Sequence, residues 1–270
     1  MQLVDNFEQV SQVKQVWVGD LMIWKHSYQT DIGRVRNHNE DAVGIFERDQ
    51  LLVMVVADGM GGHASGDVAS QMAIEFIQNE FNNGLIVDSK EAARDWMTHV
   101  LEQVNADILA YAKANDVLLM GTTLVIVVVT ETFIAIANIG DSRAYLFAFD
   151  KLRQLTKDHT FVRELVDKGQ ISEHAAKSHP QKNIISKALG ASENLEFDFF
   201  TLEHYDASGI LLCTDGLTGL VEDQSILTVL KSDMSTREKV QQLVEKANDQ
   251  GGWDNISIAL LEFREGSAPE

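Results

Sequence analysis

The chain has 270 residues, 45% of them hydrophobic, and sets 22 Lys and Arg against 41 Asp and Glu for a formal net charge of −19. That is enough apolar material for a full core, while the charge argues against nucleic acid, which is bound through Lys and Arg on phosphates, and against anionic membranes. The single cysteine, Cys213, excludes an internal disulfide framework. MQLVDNFEQV lacks a basic, apolar leader, and no apolar run approaches the roughly 20 residues of a membrane span, so a cytoplasmic protein without membrane insertion is expected.

Short β-branched runs bounded by turn signals predict strands at Ala42–Glu47, Leu51–Ala57, Thr122–Thr130, Thr132–Ile139, Arg143–Phe149, Leu152–Thr156, Gly209–Thr214 and Ile256–Phe263. Links such as Arg48-Asp49-Gln50 and Asp150-Lys151 are too short for a crossover helix, so neighbouring strands pair antiparallel. Between the strand groups, Asp67–Phe81 carries Val68, Met72, Phe76 and Ile77 on one helical face. Ser89–Asn115 carries a stripe of Trp96, Val100, Val104, Ile108 and Tyr111. Ser235–Asn248 opens with Ser235-Thr236-Arg237-Glu238, a capping-box pattern. Hairpins alternating with helices predict an α+β protein whose helices cover antiparallel sheets.

Acids fall at the ends of these strands. Glu40-Asp41 precedes the first strand of a hairpin and Asp58 follows the second. Asp141 follows the return strand of the next hairpin, Asp215 follows Thr214, and Asp254 precedes the last strand. Antiparallel pairing can bring all of them to one edge. Asp-Gly pairs such as Asp58-Gly59 also make ordinary turns, which is an alternative for any one acid taken alone but not for five together. Clustered carboxylates cannot all ionise without cations between them. An oxygen-only donor set favours Mg²⁺ or Mn²⁺ over zinc, and the chain has neither a His-Glu-x-x-His nor a Cys pair. His63 and His159 are read as loop or core histidines. Paired hard cations serve above all in phosphoester hydrolysis. Asp58 is then there to hold metal, and the glycines of Gly59-Met60-Gly61-Gly62 let backbone come close to it.

The ordered motifs Thr30-Asp31-Ile32-Gly33, Arg36-Asn37-His38-Asn39-Glu40-Asp41, Asp58-Gly59-Met60-Gly61-Gly62, Gly121-Thr122-Thr123, Gly140-Asp141-Ser142-Arg143, Asp158-His159, Ala188-Leu189-Gly190, Thr214-Asp215-Gly216 and Asp254-Asn255 run from about Tyr28 to Phe263. In this order the chain resembles the protein phosphatase 2C family of metal-dependent serine/threonine phosphatases, and its compact bacterial members most. The resemblance implies a sandwich of two antiparallel β-sheets flanked by helix pairs. It implies a catalytic domain over 25–264, with a variable flap at 160–187 beside the site. Residues 1–24 would be an N-terminal extension adding an edge strand or a partner contact, and 265–270 a disordered tail. It further implies that Asp58 bridges two Mn²⁺ or Mg²⁺ ions, that the Gly59 carbonyl binds one of them, and that Asp215 and Asp254 complete the other. Glu40 and Asp41 would hold metal-bound waters, Asp141 a third ion, and Arg36 the substrate phosphate. The implied reaction is in-line attack of metal-bridging hydroxide on phosphoserine or phosphothreonine without a phosphoenzyme. The implied partners are phosphorylated proteins and a cognate serine/threonine kinase, and a monomer is expected. Met60 stands where animal members carry a histidine proposed as general acid.

Two other readings share these residues. Gly59-Met60-Gly61-Gly62-His63-Ala64 fits a dinucleotide-binding G-x-G-x-x-A, but Asp58 would face the pyrophosphate and no parallel strand follows. A non-catalytic phosphoprotein-binding relative would share the fold, and metal-dependent turnover would separate it.

Overall fold

A computed structural model describes residues 23–62, 65–148, 150–203 and 207–264. In chain order the elements are β1 (Ile23–Asp31), β2 (Asp41–Arg48), β3 (Leu51–Gly61), α1 (Ser65–Asn82), α2 (Lys90–Ala114), β4 (Met120–Thr122), β5 (Leu124–Val129), β6 (Phe133–Ile139), β7 (Arg143–Ala148) and β8 (Lys151–Gln154). There follow α3 (Phe161–Asp167), α4 (Glu173–Lys177), β9 (Asp198–Glu203), β10 (Gly209–Cys213), α5 (Asp215–Thr218), α6 (Asp223–Leu230), α7 (Thr236–Asp249) and β11 (Ile256–Arg264). One sheet has the order β1-β11-β10-β7-β8 and the other β2-β3-β5-β6-β9, with β4 added to β3. Every pairing is antiparallel.

Side chains alternate across a strand, so each face can be traced to its layer. In β5, Val125, Val127 and Val129 pack between the sheets with Met54, Ile134, Ile210 and Leu261. Its other residues, Leu124, Ile126 and Val128, pack outward against Trp96, Val100 and Ile108 of α2. Both faces of LVIVVV are covered, so the run is apolar without alternation. The opposite sheet turns Leu211, Cys213, Ile258 and Leu260 onto Val240, Leu243 and Val244 of α7. The result is four layers, helices outside and two sheets inside. Among the described residues no helix is long and apolar enough to cross a membrane.

Several sequence expectations shift. The face that α1 buries deepest is Ala69, Ala73, Ile77 and Phe81, whereas Val68, Met72 and Phe76 are only partly covered; small residues let the helix axis approach the sheet. Tyr111 ends the α2 stripe exposed. Thr122–Thr130 is two strands, broken at Thr123, whose hydroxyl accepts the Asp58 N–H at 2.9 Å. β3 does not stop at Ala57: it runs on through Gly61, pairing Gly59–Gly61 with β4. The glycine stretch is therefore mostly strand. β1 and β9 have no counterpart among the predicted strands. The extension boundary at 24 falls inside β1, and residues 1–22 and the tail 265–270 lie outside the described residues. The flap span 160–187 holds α3 and α4, each opened by a side-chain cap, Thr160 on the Arg163 N–H and Ser172 on the Ala175 N–H.

Candidate active site

The two sheets meet the acids at one end. Asp41 opens β2 directly across from Asp58 in β3. Asp141 lies in the turn from β6 to β7, which carries the chain from one sheet to the other. From the second sheet, Asp215 starts α5 right after β10, and Asp254 precedes β11. Hydroxyls tie the layers together. The Thr214 hydroxyl donates to Asp41 Oδ2 at 2.8 Å and accepts the Ser257 N–H at 2.9 Å. Thr123 Oγ1 takes the Asp58 N–H and lies 2.8 Å from Ser142 Oγ. The Asp58 carbonyl accepts from the Thr122 hydroxyl and the Thr123 N–H. Asp58 is thus fixed by its backbone, and its carboxylate faces Asp215, with which it shares a side-chain hydrogen bond.

Glycine at position 59 follows from crowding. A Cβ there would stand 2.0 Å from the Gly66 carbonyl oxygen and 2.5 Å from that of Glu40. Those are backbone atoms and cannot swing away, so only glycine lets α1 and the Glu40 loop close on Asp58. The Gly59 N–H also donates to the Glu40 carbonyl at 3.0 Å.

Arg36 sits on the loop between β1 and β2. Asn255 fastens that loop: its Nδ2 donates to the carbonyls of Ile32 and His38, each at 2.9 Å, and its Oδ1 accepts the Glu40 N–H at 2.8 Å. Arg36 Nη2 then donates to Asp254 Oδ2 at 2.8 Å. That bond, with Glu40 and Asp58 nearby, holds the guanidinium above its usual pKa.

Burial and mutual repulsion raise the acids. Burial is the largest cause in each case. It pushes Asp41 up to about 8 against hydrogen bonds from Thr214 and Ser257, with Asp215 and Asp254 adding to the rise. Asp141 goes to about 7, helped by Asp215 and Asp158, and Asp215 to about 6, helped by Asp254. Asp58 lies well above the ordinary carboxylate value, with Asp41, Asp215, Asp141 and Asp254 all contributing. Glu40 is raised too, by burial, and Arg36 opposes the rise. The sequence-predicted acids are therefore brought into one electrostatic cluster.

The donor set suits a hard cation. It is all oxygen, and Asp141 Oδ1 and Asp215 Oδ1 are buried with no hydrogen-bond partner, which costs free energy unless another group satisfies them. Among the described residues no three His, Cys, Asp or Glu side chains are arranged to hold an ion as they stand. Asp58 and Asp215 lie close enough to share a side-chain hydrogen bond, and a cation bound among these carboxylates would relieve their crowding.

Other groups frame this centre without joining it. His159 Nδ1 accepts the Gly140 N–H at 3.1 Å and Nε2 lies 3.3 Å from Asp198 Oδ2; it is a core histidine. It also pins the root of the flap span to the Asp141 turn, through His159 N–H to the Gly140 carbonyl at 2.9 Å. His63 lies outside the described residues. Cys213 is buried, and burial pushes its thiol up to about 12. The Arg143–Asp158 pair, at 2.6 Å between Nη2 and Oδ2, backs the Asp141 turn. Sequence reasoning assigns no role to Thr214, Ser257, Asn255 or this pair. The signal lies in the motifs themselves, whose Thr, Asn and Arg residues are struts for the acids beside them.

Two face-to-face antiparallel sheets, helices on both outer faces and an acid cluster where the sheets meet define the class of architecture. The family model described as Protein phosphatase 2C matches residues 33–252, and the chain belongs to that family. Asp254 and Asn255 lie just past the matched span. The chain is 42% identical over 237 residues to the serine/threonine phosphatase stp of Listeria innocua, covering 87% of this chain and 94% of that protein. The crystal structure of the serine/threonine phosphatase Stp1 from Staphylococcus aureus superposes with a TM-score of 0.84 at 34% identity, covering 95% of this chain and all of that one. The catalytic domain of the serine threonine protein phosphatase PstP, solved in complex with two manganese ions, gives a TM-score of 0.78 at 32% identity over 91% of this chain and all of that one.

Proposed function

We propose that the chain is a metal-dependent protein serine/threonine phosphatase, acting as a monomer in a bacterial cytoplasm on phosphoserine and phosphothreonine proteins and opposing a serine/threonine kinase. The observation that carries this reading is the convergence of Asp41, Asp58, Asp141, Asp215 and Asp254 from both sheets into one cluster next to Arg36, with Asp41 and Asp141 buried and Asp254 at its partly exposed edge. The names of the Listeria and Staphylococcus relatives support the substrate class, and the manganese-bound PstP domain supports the cofactor.

Bound Mn²⁺ or Mg²⁺ would neutralise these acids and supply a water nucleophile of lowered pKa. Asp58, the Gly59 carbonyl, Asp215 and Asp254 would hold two ions and Asp141 a third, with Glu40 and Asp41 holding water around them. Arg36 presents a planar guanidinium fork to the substrate phosphate, exchanging its hydrogen bond to Asp254 for phosphate oxygens. Cys213 is fully buried in β10 against the core that α7 covers, out of reach of a substrate phosphate, so a cysteinyl-phosphate route is closed. Met60 has no proton to give, and the leaving serine or threonine oxygen takes its proton from water. Phosphate release from a phosphothreonine peptide, and from p-nitrophenyl phosphate, is expected to require added Mn²⁺ or Mg²⁺ and to stop in EDTA. Full activity in metal-free buffer would overturn the reading.

A further inference from the structure

Large apolar side chains are exposed where the β1–β2 loop meets the segment before β11. Trp253 is 66% exposed, Val35 61% and Ile32 40%. Single exposed apolar residues are ordinary, but a group of them on adjoining loops marks a contact surface. The loops are locked together: the Arg34 and Val35 N–H groups donate to the Gly252 carbonyl at 2.7 and 3.2 Å, and Asn255 Nδ2 holds the Ile32 carbonyl. The indole also lies against Gly251. Gly251 has φ +127°, and a Cβ on it would stand 2.2 Å from Trp253 Nε1, so the ring lies back over a residue that must be glycine. An exposed indole offers a large apolar contact area.

Position tells what it contacts. Val35 is the chain neighbour of Arg36, and Trp253 that of Asp254, the two residues joined at 2.8 Å in the candidate site. The segment 34–38 also gathers Arg34, Arg36 and His38 on a chain of net charge −19. A cationic and apolar rim next to the phosphate-binding arginine complements a ligand that carries a phosphate and an apolar side chain close together. We propose that Ile32, Val35 and Trp253 dock an apolar side chain flanking the phosphorylated serine or threonine of the protein substrate. The inference rests on the phosphatase reading and adds a sequence preference to it.

The test compares two phosphothreonine peptides, identical except for Leu or Ala at the second and third positions on either side of the phosphothreonine, with Mn²⁺ present. The wild-type protein is expected to prefer the Leu peptide by about 10-fold in kcat/KM, with the difference in KM. Trp253→Ala and Val35→Ser make the two peptides equal substrates, and Trp253→Phe restores most of the preference. Val35→Ser lies on the other loop and keeps the test open should Trp253→Ala disturb Asp254. A wild-type protein that hydrolyses both peptides equally, or a preference that persists in both variants, overturns the dock and leaves the phosphatase reading standing. A preference that persists while the variants change the sedimentation coefficient makes the patch a contact between copies of the chain, which also overturns it. If neither peptide is hydrolysed, the phosphatase reading fails and the dock with it.

Discussion

Arg36 and Gly59 show two ways in which a single residue constrains this site. Arg36 is about half exposed and engages Asp254 by one charged hydrogen bond, so its removal leaves the fold intact. In Arg36→Ala, KM for a phosphothreonine peptide is expected to rise and kcat to fall, with kcat/KM down roughly 10- to 150-fold, the value of about 1.5–3 kcal/mol for a charge-assisted contact. Arg36→Lys recovers part of this, since a point charge lacks the fork. Steady-state kinetics beside a metal titration checks it, and lost metal affinity with an unchanged KM would assign Arg36 to the metal instead. Gly59→Ala drives a Cβ into two carbonyl oxygens, so a lower melting temperature accompanies lost turnover. At this scale the acids are legible in the sequence. A lone Asp at a strand end is an ordinary turn residue, whereas Asp41, Asp58, Asp141, Asp215 and Asp254 together put more charge at one edge than turns require. Thr214 and Ser257 are not legible, since a hydroxyl reads the same whether it faces solvent or, as here, braces Asp41 across the sheets.

Elements are legible where their burial is one-sided and regular. The pattern Ser235-Thr236-Arg237-Glu238 forms the box it suggests: Ser235 Oγ accepts the Glu238 N–H at 3.3 Å and Glu238 Oε2 accepts the Ser235 N–H at 2.8 Å. Ser235→Ala is expected to cost about 1 kcal/mol of stability, seen in denaturant unfolding, and to leave turnover alone because α7 packs on the sheet face away from the acids' hydroxyl struts. β1 and β9 are hidden in the sequence for a physical reason. Both are sheet edges; in β9 no residue is fully buried, and β1 mixes Lys25, His26 and Gln29 with Trp24 and Tyr28, so neither shows a clean period of two. The end of β3 lies beyond its predicted position because Gly59 and Gly61 signal a turn, whereas β4 supplies the ladder that keeps them extended. Local propensity yields there to a partner far along the chain.

On the scale of the whole molecule, the acid cluster sets one end of a stable sandwich against itself. Unfolded carboxylates titrate near 3.8, whereas in the fold Asp215, Asp141 and Asp41 lie at about 6, 7 and 8. Between roughly pH 4 and 8 the metal-free folded chain therefore binds more protons than the unfolded one, and stability falls as pH rises through that window. The EDTA-treated protein is expected to melt at a higher temperature at pH 5 than at pH 8, and Mn²⁺ at pH 8 to recover the difference by binding the folded form; a metal-free melting temperature that rises over this range would contradict the buried cluster. The four-layer architecture is implied by the family motifs rather than by the strand pattern, which specifies antiparallel pairing but does not divide the strands between two sheets. Whether the cluster is a metal centre is decided by a calorimetric titration of the wild-type protein and of Asp58→Asn with Mn²⁺. At least two ions are expected to bind the wild-type chain, with a loss of affinity of more than about 100-fold in Asp58→Asn, which removes one charge from the proposed bridging position and nearly keeps its shape. Equal binding isotherms for the two proteins, or no binding to either, would contradict a carboxylate metal centre built on Asp58.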